Sequence, residues 1–114
     1  MSENTWQVFD LAKLKKMVEG PEPRLHEFLR GAALSGAIYR LPAGARDMQA
    51  PHFEDEIYFV LEGRARLRVG AEEQEARPGM LLFVRATAEH SFFDIEQDLT
   101  LVAIFGNAAR PRKE

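Results

Sequence analysis

Apolar and polar residues alternate with a period of two along most of this chain, and one stretch departs from that rhythm. Leu11, Leu14 and Val18 recur at helical spacing in the run from Asp10 to Gly20. Asp10 is suited to cap the N-terminus of such a helix and Gly20 to end it, and Pro21 and Pro23 prevent its continuation. From Arg24 onward the pattern predicts strands. Leu25 to Leu29 and Ala33 to Leu41 come first, and Pro42-Ala43-Gly44 breaks the second run. Glu56 to Leu61 and Arg64 to Val69 flank Glu62-Gly63, which reads as a tight hairpin with Gly63 supplying positive φ. In the second of these, Ala65, Leu67 and Val69 alternate with Arg64, Arg66 and Arg68, giving one dry and one wet face. Glu73 to Arg77 forms a short polar strand, Pro78-Gly79 fits the centre of a type II turn, and Met80 to Val84, His90 to Ile95 and Leu99 to Phe105 complete the set. Many short strands at close spacing predict an all-β sandwich or small barrel with one short N-terminal helix.

Composition narrows the partners more than the fold. The 114 residues are 46% hydrophobic, which suits one globular domain with its own core. The domain expectation is an N-terminal segment with the helix over 1–23, the barrel over 24–107 and a tail over 108–114. A net charge of −3 and the lack of any basic stripe argue against nucleic acid or an anionic membrane as partner. With no cysteine, disulfides and thiolate metal sites are excluded, and a reducing compartment fits. The start Met1-Ser2-Glu3-Asn4-Thr5-Trp6 lacks the basic and apolar stretches of a signal peptide, and no apolar run reaches the ~20 residues of a membrane span. The expectation is a cytoplasmic protein.

Three residues carry candidate chemistry. His52 and Glu56 lie four apart just before Ile57-Tyr58-Phe59-Val60-Leu61, and His90 follows in Glu89-His90-Ser91-Phe92. Brought together, two imidazoles and a carboxylate make a face for a divalent transition metal with open positions. Glu56 opens a strongly apolar strand, where an inward carboxylate needs a cation or donors to offset desolvation. The competing reading has Glu56 facing out at the strand end, His52 solvated, and His90 a satisfied barrel histidine. Tyr58 shares the parity of Glu56 and so faces the same side.

The spacings resemble those of the cupins, small jelly-roll barrels. Their first motif is G-x5-H-x-H-x3/4-E-x6-G. Here Gly44, Ala50, His52, Glu56 and Gly63 keep every spacing, with Ala50 replacing the first histidine. The second motif, G-x5-P-x-G-x2-H-x3-N, is similar to Gly79, Arg85, Thr87, His90 and Asp94, in which three residue types differ. The resemblance implies a cupin double-stranded β-helix and a metal (iron, manganese, nickel or zinc) on His52, Glu56 and His90, with the usual fourth ligand absent. Gln49, Tyr58 and Arg85 are the candidate pocket residues for a small-molecule ligand. It leaves two functions open: a metal-dependent enzyme (dioxygenase-like, or an isomerase or lyase on a small oxygenated substrate), or a non-catalytic ligand-binding or regulatory barrel. A homodimer is expected, with Trp6, Val8 or Phe9 near its interface.

Overall fold

The computed structural model describes residues 5–47 and 53–106. Its organising feature is a pair of long antiparallel strands, β3 (Glu56–Val69) and β6 (His90–Gly106), around which everything else is added. The elements run α1 (Leu11–Lys16), β1 (Arg24–Arg30), β2 (Leu34–Leu41), β3, β4 (Glu72–Ala76), β5 (Leu81–Val84) and β6. One antiparallel sheet has the order β1-β2-β6-β3-β4, with β5 paired to the first half of β3.

The predicted helix forms with the predicted N-terminal cap, the Asp10 carboxylate accepting from the backbone N–H groups of Ala12 (2.9 Å) and Lys13 (3.4 Å), but it ends at Lys16 with Met17 as its C-cap, short of the expected Gly20. Leu14 and Val18 are buried against Ile38 and Val102 on the outside of the sheet. Lys15 reaches across to Glu62 at 2.9 Å; both side chains are partly exposed to solvent, so the pair fixes position more than it adds stability. The Pro78-Gly79 turn is also as expected, with the Met80 N–H donating to the Arg77 carbonyl and Gly79 at φ +90°.

Two strand boundaries differ from expectation. Glu62-Gly63 is not a hairpin: β3 runs straight through it, and its pairing with β6 shifts register between Val60 and Glu62, Glu62 and Arg64, and Arg64 and Arg66. These are bulges, and the bulge uses the same positive-φ glycine that a hairpin would. Gly63 has φ +95°, and a Cβ there would stand 2.2 Å from the Asp98 carbonyl oxygen and 2.6 Å from Leu99 Cα. Likewise the runs 90–95 and 99–105 are one strand. The strand bends at Asp94 (φ +48°), inside the first run, and continues through the polar interval Glu96-Gln97-Asp98 without ending. Asp98 is occupied instead in tying down the Pro42–Gly44 turn, accepting from the Ala43 N–H at 2.8 Å and from Arg40 at 2.7 Å.

The register makes the consequence plain. At one end of the ladder Glu56 pairs with Phe105, and at the other Val69 pairs with His90. Thirteen residues (56 to 69) of straight strand would separate Glu56 from His90 by ~43 Å. The bulges fold the ladder over, so that both residues enter one interior with Tyr39, Leu41, Tyr58, Val60, Leu67, Phe92 and Leu101. Inward-facing positions change accordingly from even (Glu56, Tyr58, Val60) to odd (Ala65, Leu67) across Gly63.

Gly63→Ala is expected to lower stability by roughly 2–4 kcal/mol, from the left-handed backbone and the collision with Asp98 and Leu99 together. Gly70→Ala, at φ +59° with open space around it, should cost only about 1 kcal/mol. Equilibrium denaturation measures both, and equal losses would contradict a packed bulge at Gly63.

Candidate functional site

Glu56 sits in the middle of three strands, opposite Val84 of β5 and Phe105 of β6, and is 2% exposed. His90 begins β6 and is 7% exposed. Their side chains meet, with His90 Nε2 3.1 Å from Glu56 Oε1. The residue before Glu56 helps arrange this. Asp55 accepts from the Ala86 N–H at 2.8 Å, holding the Arg85–Ala88 turn in which the Ala88 N–H donates to the Arg85 carbonyl. Thr87, where the cupin motif has glycine, still adopts left-handed φ (+66°), a conformation rare for a β-branched residue. That turn presents the Ala88 carbonyl to His90 Nδ1 at 2.9 Å.

A carbonyl only accepts, so Nδ1 carries a proton and Nε2 is the nitrogen turned toward Glu56. Tyr58, fully buried, places its hydroxyl 3.0 Å from the same Nε2, and its ring stands edge-on to Phe92. The Glu56 carboxylate raises the pKa of His90, against the opposing effect of burial. Glu56 Oε2, also buried, has no hydrogen-bond partner among the described residues. Leaving such an oxygen unpaired costs on the order of 1–3 kcal/mol.

Sequence reasoning overlooked a half-buried polar group beside this pair. Asp47 follows the Pro42–Gly44 turn, accepting from the Tyr39 hydroxyl at 2.9 Å and from the Phe92 N–H at 2.8 Å. Burial, and after it the Asp47 carboxylate, pushes the Tyr39 hydroxyl well above the ordinary phenol range, so Tyr39 stays protonated and donates. The one available signal was parity: Tyr39 lies between Ala37 and Leu41 on the inward face of β2. Asp47 thereby links β2 to β6 where the chain leaves the barrel wall.

Of the expected site residues, the structure brings together Glu56, His90 and Tyr58. His52 and Gln49 lie outside the described residues, as does Ala50. Arg85 is exposed, one residue beyond β5. No group of three or more ligating side chains occurs among the described residues. No helix of the described residues is long and apolar enough to cross a membrane.

Comparison with known proteins agrees with this architecture. A family model described as a cupin domain matches residues 37–105. This chain belongs to the cupin family, and its fold is the cupin double-stranded β-helix with a short N-terminal helix. An uncharacterised protein of Streptomyces coelicolor is 40% identical over 79 residues, covering 69% of this chain and 75% of that protein. Among solved structures, TT1209 of Thermus thermophilus superposes with a TM-score of 0.74 at 25% identity, covering 89% of this chain and 97% of that one. The DMSP lyase DddQ from Ruegeria pomeroyi gives a TM-score of 0.72 at 17% identity over 80% of this chain, which spans only half the length of that lyase.

The pair has a measurable acid–base signature in metal-free protein. Because the folded state raises the pKa of His90, it binds that proton more tightly than the unfolded chain does. The stabilisation is complete below the ordinary histidine value of about 6.5 and is lost as pH rises through the higher folded value. Chelated wild type should therefore lose stability relative to Glu56→Gln as pH is raised from about 6 toward 9. Urea titrations across that range test it, and a difference independent of pH would contradict the Glu56–His90 contact.

Proposed function

We propose that this cupin barrel holds one divalent transition metal through Glu56, His90 and His52, and presents it to a small oxygenated ligand. The observation that carries the proposal is the buried Glu56 carboxylate, with Oε1 against His90 and Oε2 unpaired. Two ligand atoms at ~2.1 Å from one ion, about 90° apart, lie ~3.0 Å from each other. The 3.1 Å between Oε1 and Nε2 fits that arrangement. The tautomer fits as well, since Nδ1–H on the Ala88 carbonyl leaves the Nε2 lone pair for a ligand bond. His52 enters as the motif residue four before Glu56, and Ala50 leaves the position of the fourth family ligand to solvent or substrate.

A bound ion would supply Lewis acidity toward a carbonyl, carboxylate or hydroxyl oxygen, or a place for oxygen and substrate side by side. The chain's own residues set the surroundings. Tyr58 offers a hydroxyl beside Nε2, Asp47 and Tyr39 hold the neighbouring wall, and Val84, Phe92 and Leu101 keep the interior apolar. Among the solved neighbours, DddQ is named a DMSP lyase. That name supports lyase chemistry as one form the activity takes here, beside isomerisation and dioxygenation. The replacement of a ligating histidine by Ala50 favours a second reading, in which the barrel binds metal and ligand without turnover.

Chelated protein reloaded separately with iron, manganese, nickel or zinc and freed of excess should retain about one equivalent of at least one of them by elemental analysis. Glu56→Gln and His90→Ala should each weaken binding by about 10–100-fold or more, and remove the metal-dependent rise in Tm. Retention below about a tenth of an equivalent of every ion would overturn the metal reading. Tight binding without product from oxygenated substrates, or oxygen uptake, would leave the non-catalytic barrel.

A further inference from the structure

The interior that holds Glu56 and His90 is reached by a second carboxylate. Half-buried Asp47 accepts from the Tyr39 hydroxyl through Oδ1 at 2.9 Å and from the Phe92 N–H through Oδ2 at 2.8 Å. Both donors belong to inward-facing residues: Tyr39 and Phe92 lie in the same buried cluster as Tyr58, Val84 and Leu101. Phe92 follows His90 by two residues, ~7 Å along β6, so their side chains share the inner face. The Phe92 ring stands edge-on to Tyr58, whose hydroxyl is 3.0 Å from His90 Nε2. The two carboxylates act on the same groups. Burial first, then Asp47 and Glu56, push the Tyr39 hydroxyl up; Glu56 first, and Asp47 after it, raise the pKa of His90 against burial.

Positive side chains lie elsewhere. Among the described residues no lysine or arginine is buried. Lys15, Arg40 and Arg66 are partly exposed and pair with Glu62, Asp98 and Glu73. Arg46, beside Asp47, and Arg85, beyond β5, are exposed, where water and salt screen them. With neutral imidazoles, Glu56 offsets one charge of a divalent ion and Asp47 offsets the other.

We propose, on the basis of the metal centre proposed for this barrel, that the ligand it selects is an uncharged oxygenated molecule. A hydroxyketone, diol or hydroxyamide fits, a carboxylate or phosphate does not, and Asp47 sets that selectivity. An anion at the open position of the ion meets the fields of Glu56 and Asp47 in an apolar interior, where charges are weakly screened. The attraction of the ion for it is thereby largely cancelled. An uncharged chelating ligand escapes this repulsion, offers its oxygens to the ion and lies within reach of the Tyr58 hydroxyl. Asp47, held by Tyr39 and Phe92, acts through its charge and not as a ligand.

Protein loaded with whichever of iron, manganese, nickel or zinc it retains best is titrated calorimetrically with glycolate and with glycolamide. The two probes share a size and a hydroxyl–carbonyl chelating pair and differ by one charge. Asp47→Asn should raise the affinity for glycolate about 10-fold and leave that for glycolamide within about twofold. Tyr39→Phe removes a hydrogen bond to Asp47 and keeps the charge, so the ratio of the two affinities should stay as in wild type. A further comparison needs no variant to fold. The preference of the wild-type centre for glycolate over glycolamide should be about 10-fold or more below that of the same ion in water. An undiminished preference would overturn the proposal, as would parallel shifts of both affinities in Asp47→Asn, the mark of a purely structural role. So would an Arg85→Gln variant that binds glycolate several-fold more weakly, since Arg85 would then recruit anions. Failure to retain any of the four ions overturns the metal reading and this one together, whereas a retained ion with glycolate affinity unchanged by Asp47→Asn overturns this one alone.

Discussion

The fold-over of the β3/β6 ladder at Gly63 is the constraint on which the rest of this structure depends. Straight strands would put Glu56 and His90 at opposite ends of a long ribbon. Three register shifts, and a glycine whose missing Cβ lets β3 lie against Asp98 and Leu99, turn that ribbon into a barrel with an interior. The polar break in β6 serves the same end. Asp98 is fixed by Ala43 and Arg40, so the bent part of β6 and the turn after β2 are held as one unit. The Gly44 N–H donating to the Ile95 carbonyl at 2.9 Å adds to it.

Within that interior the chain gathers groups that an apolar core does not tolerate singly. Glu56, His90, Tyr58, Tyr39 and Asp47 are organised through donors and acceptors of known sense: Tyr39 to Asp47, the Phe92 N–H to Asp47, and His90 Nδ1–H to Ala88. Satisfied in this way a cluster of buried polar groups with half-buried Asp47 at its edge is tolerated and specifies one arrangement. Glu56 Oε2 is the exception, and an unpaired buried carboxylate oxygen asks for a cation. On the outer face of the sheet, Leu14 of α1 and Val18 just beyond it cover Ile38 and Val102, while Ile57, Phe59, Leu81 and Phe83 remain exposed.

Much of this was legible in the sequence, and the failures are instructive. The alternation of Ala65, Leu67 and Val69 with three arginines marked a half-wet strand; Arg68 and Arg66 pair with Glu73, and Arg64 with Glu75. Parity placed Tyr58 with Glu56 on the inside. Glu62-Gly63 was misread because a two-residue hairpin and a glycine bulge both require positive φ, and both switch the inward positions from even to odd. Local pattern cannot separate them, since only the partner strand tells which has formed. Asp47 was invisible for a different reason. A single acidic residue after a turn looks like solvated surface until tertiary contacts bring Tyr39 and Phe92 to it. For His52 and Gln49 the reading rests on motif spacing alone, because both lie outside the described residues.

The central claim is that Glu56 and His90 are two cis ligands of one ion. X-ray absorption on metal-loaded protein addresses it directly. The account predicts a shell of oxygen and nitrogen at about 2.0–2.2 Å, with the outer-shell scattering of two imidazoles in the wild type and of one in His90→Ala. A shell of light oxygen ligands with no imidazole scattering, unchanged by His90→Ala, would contradict it.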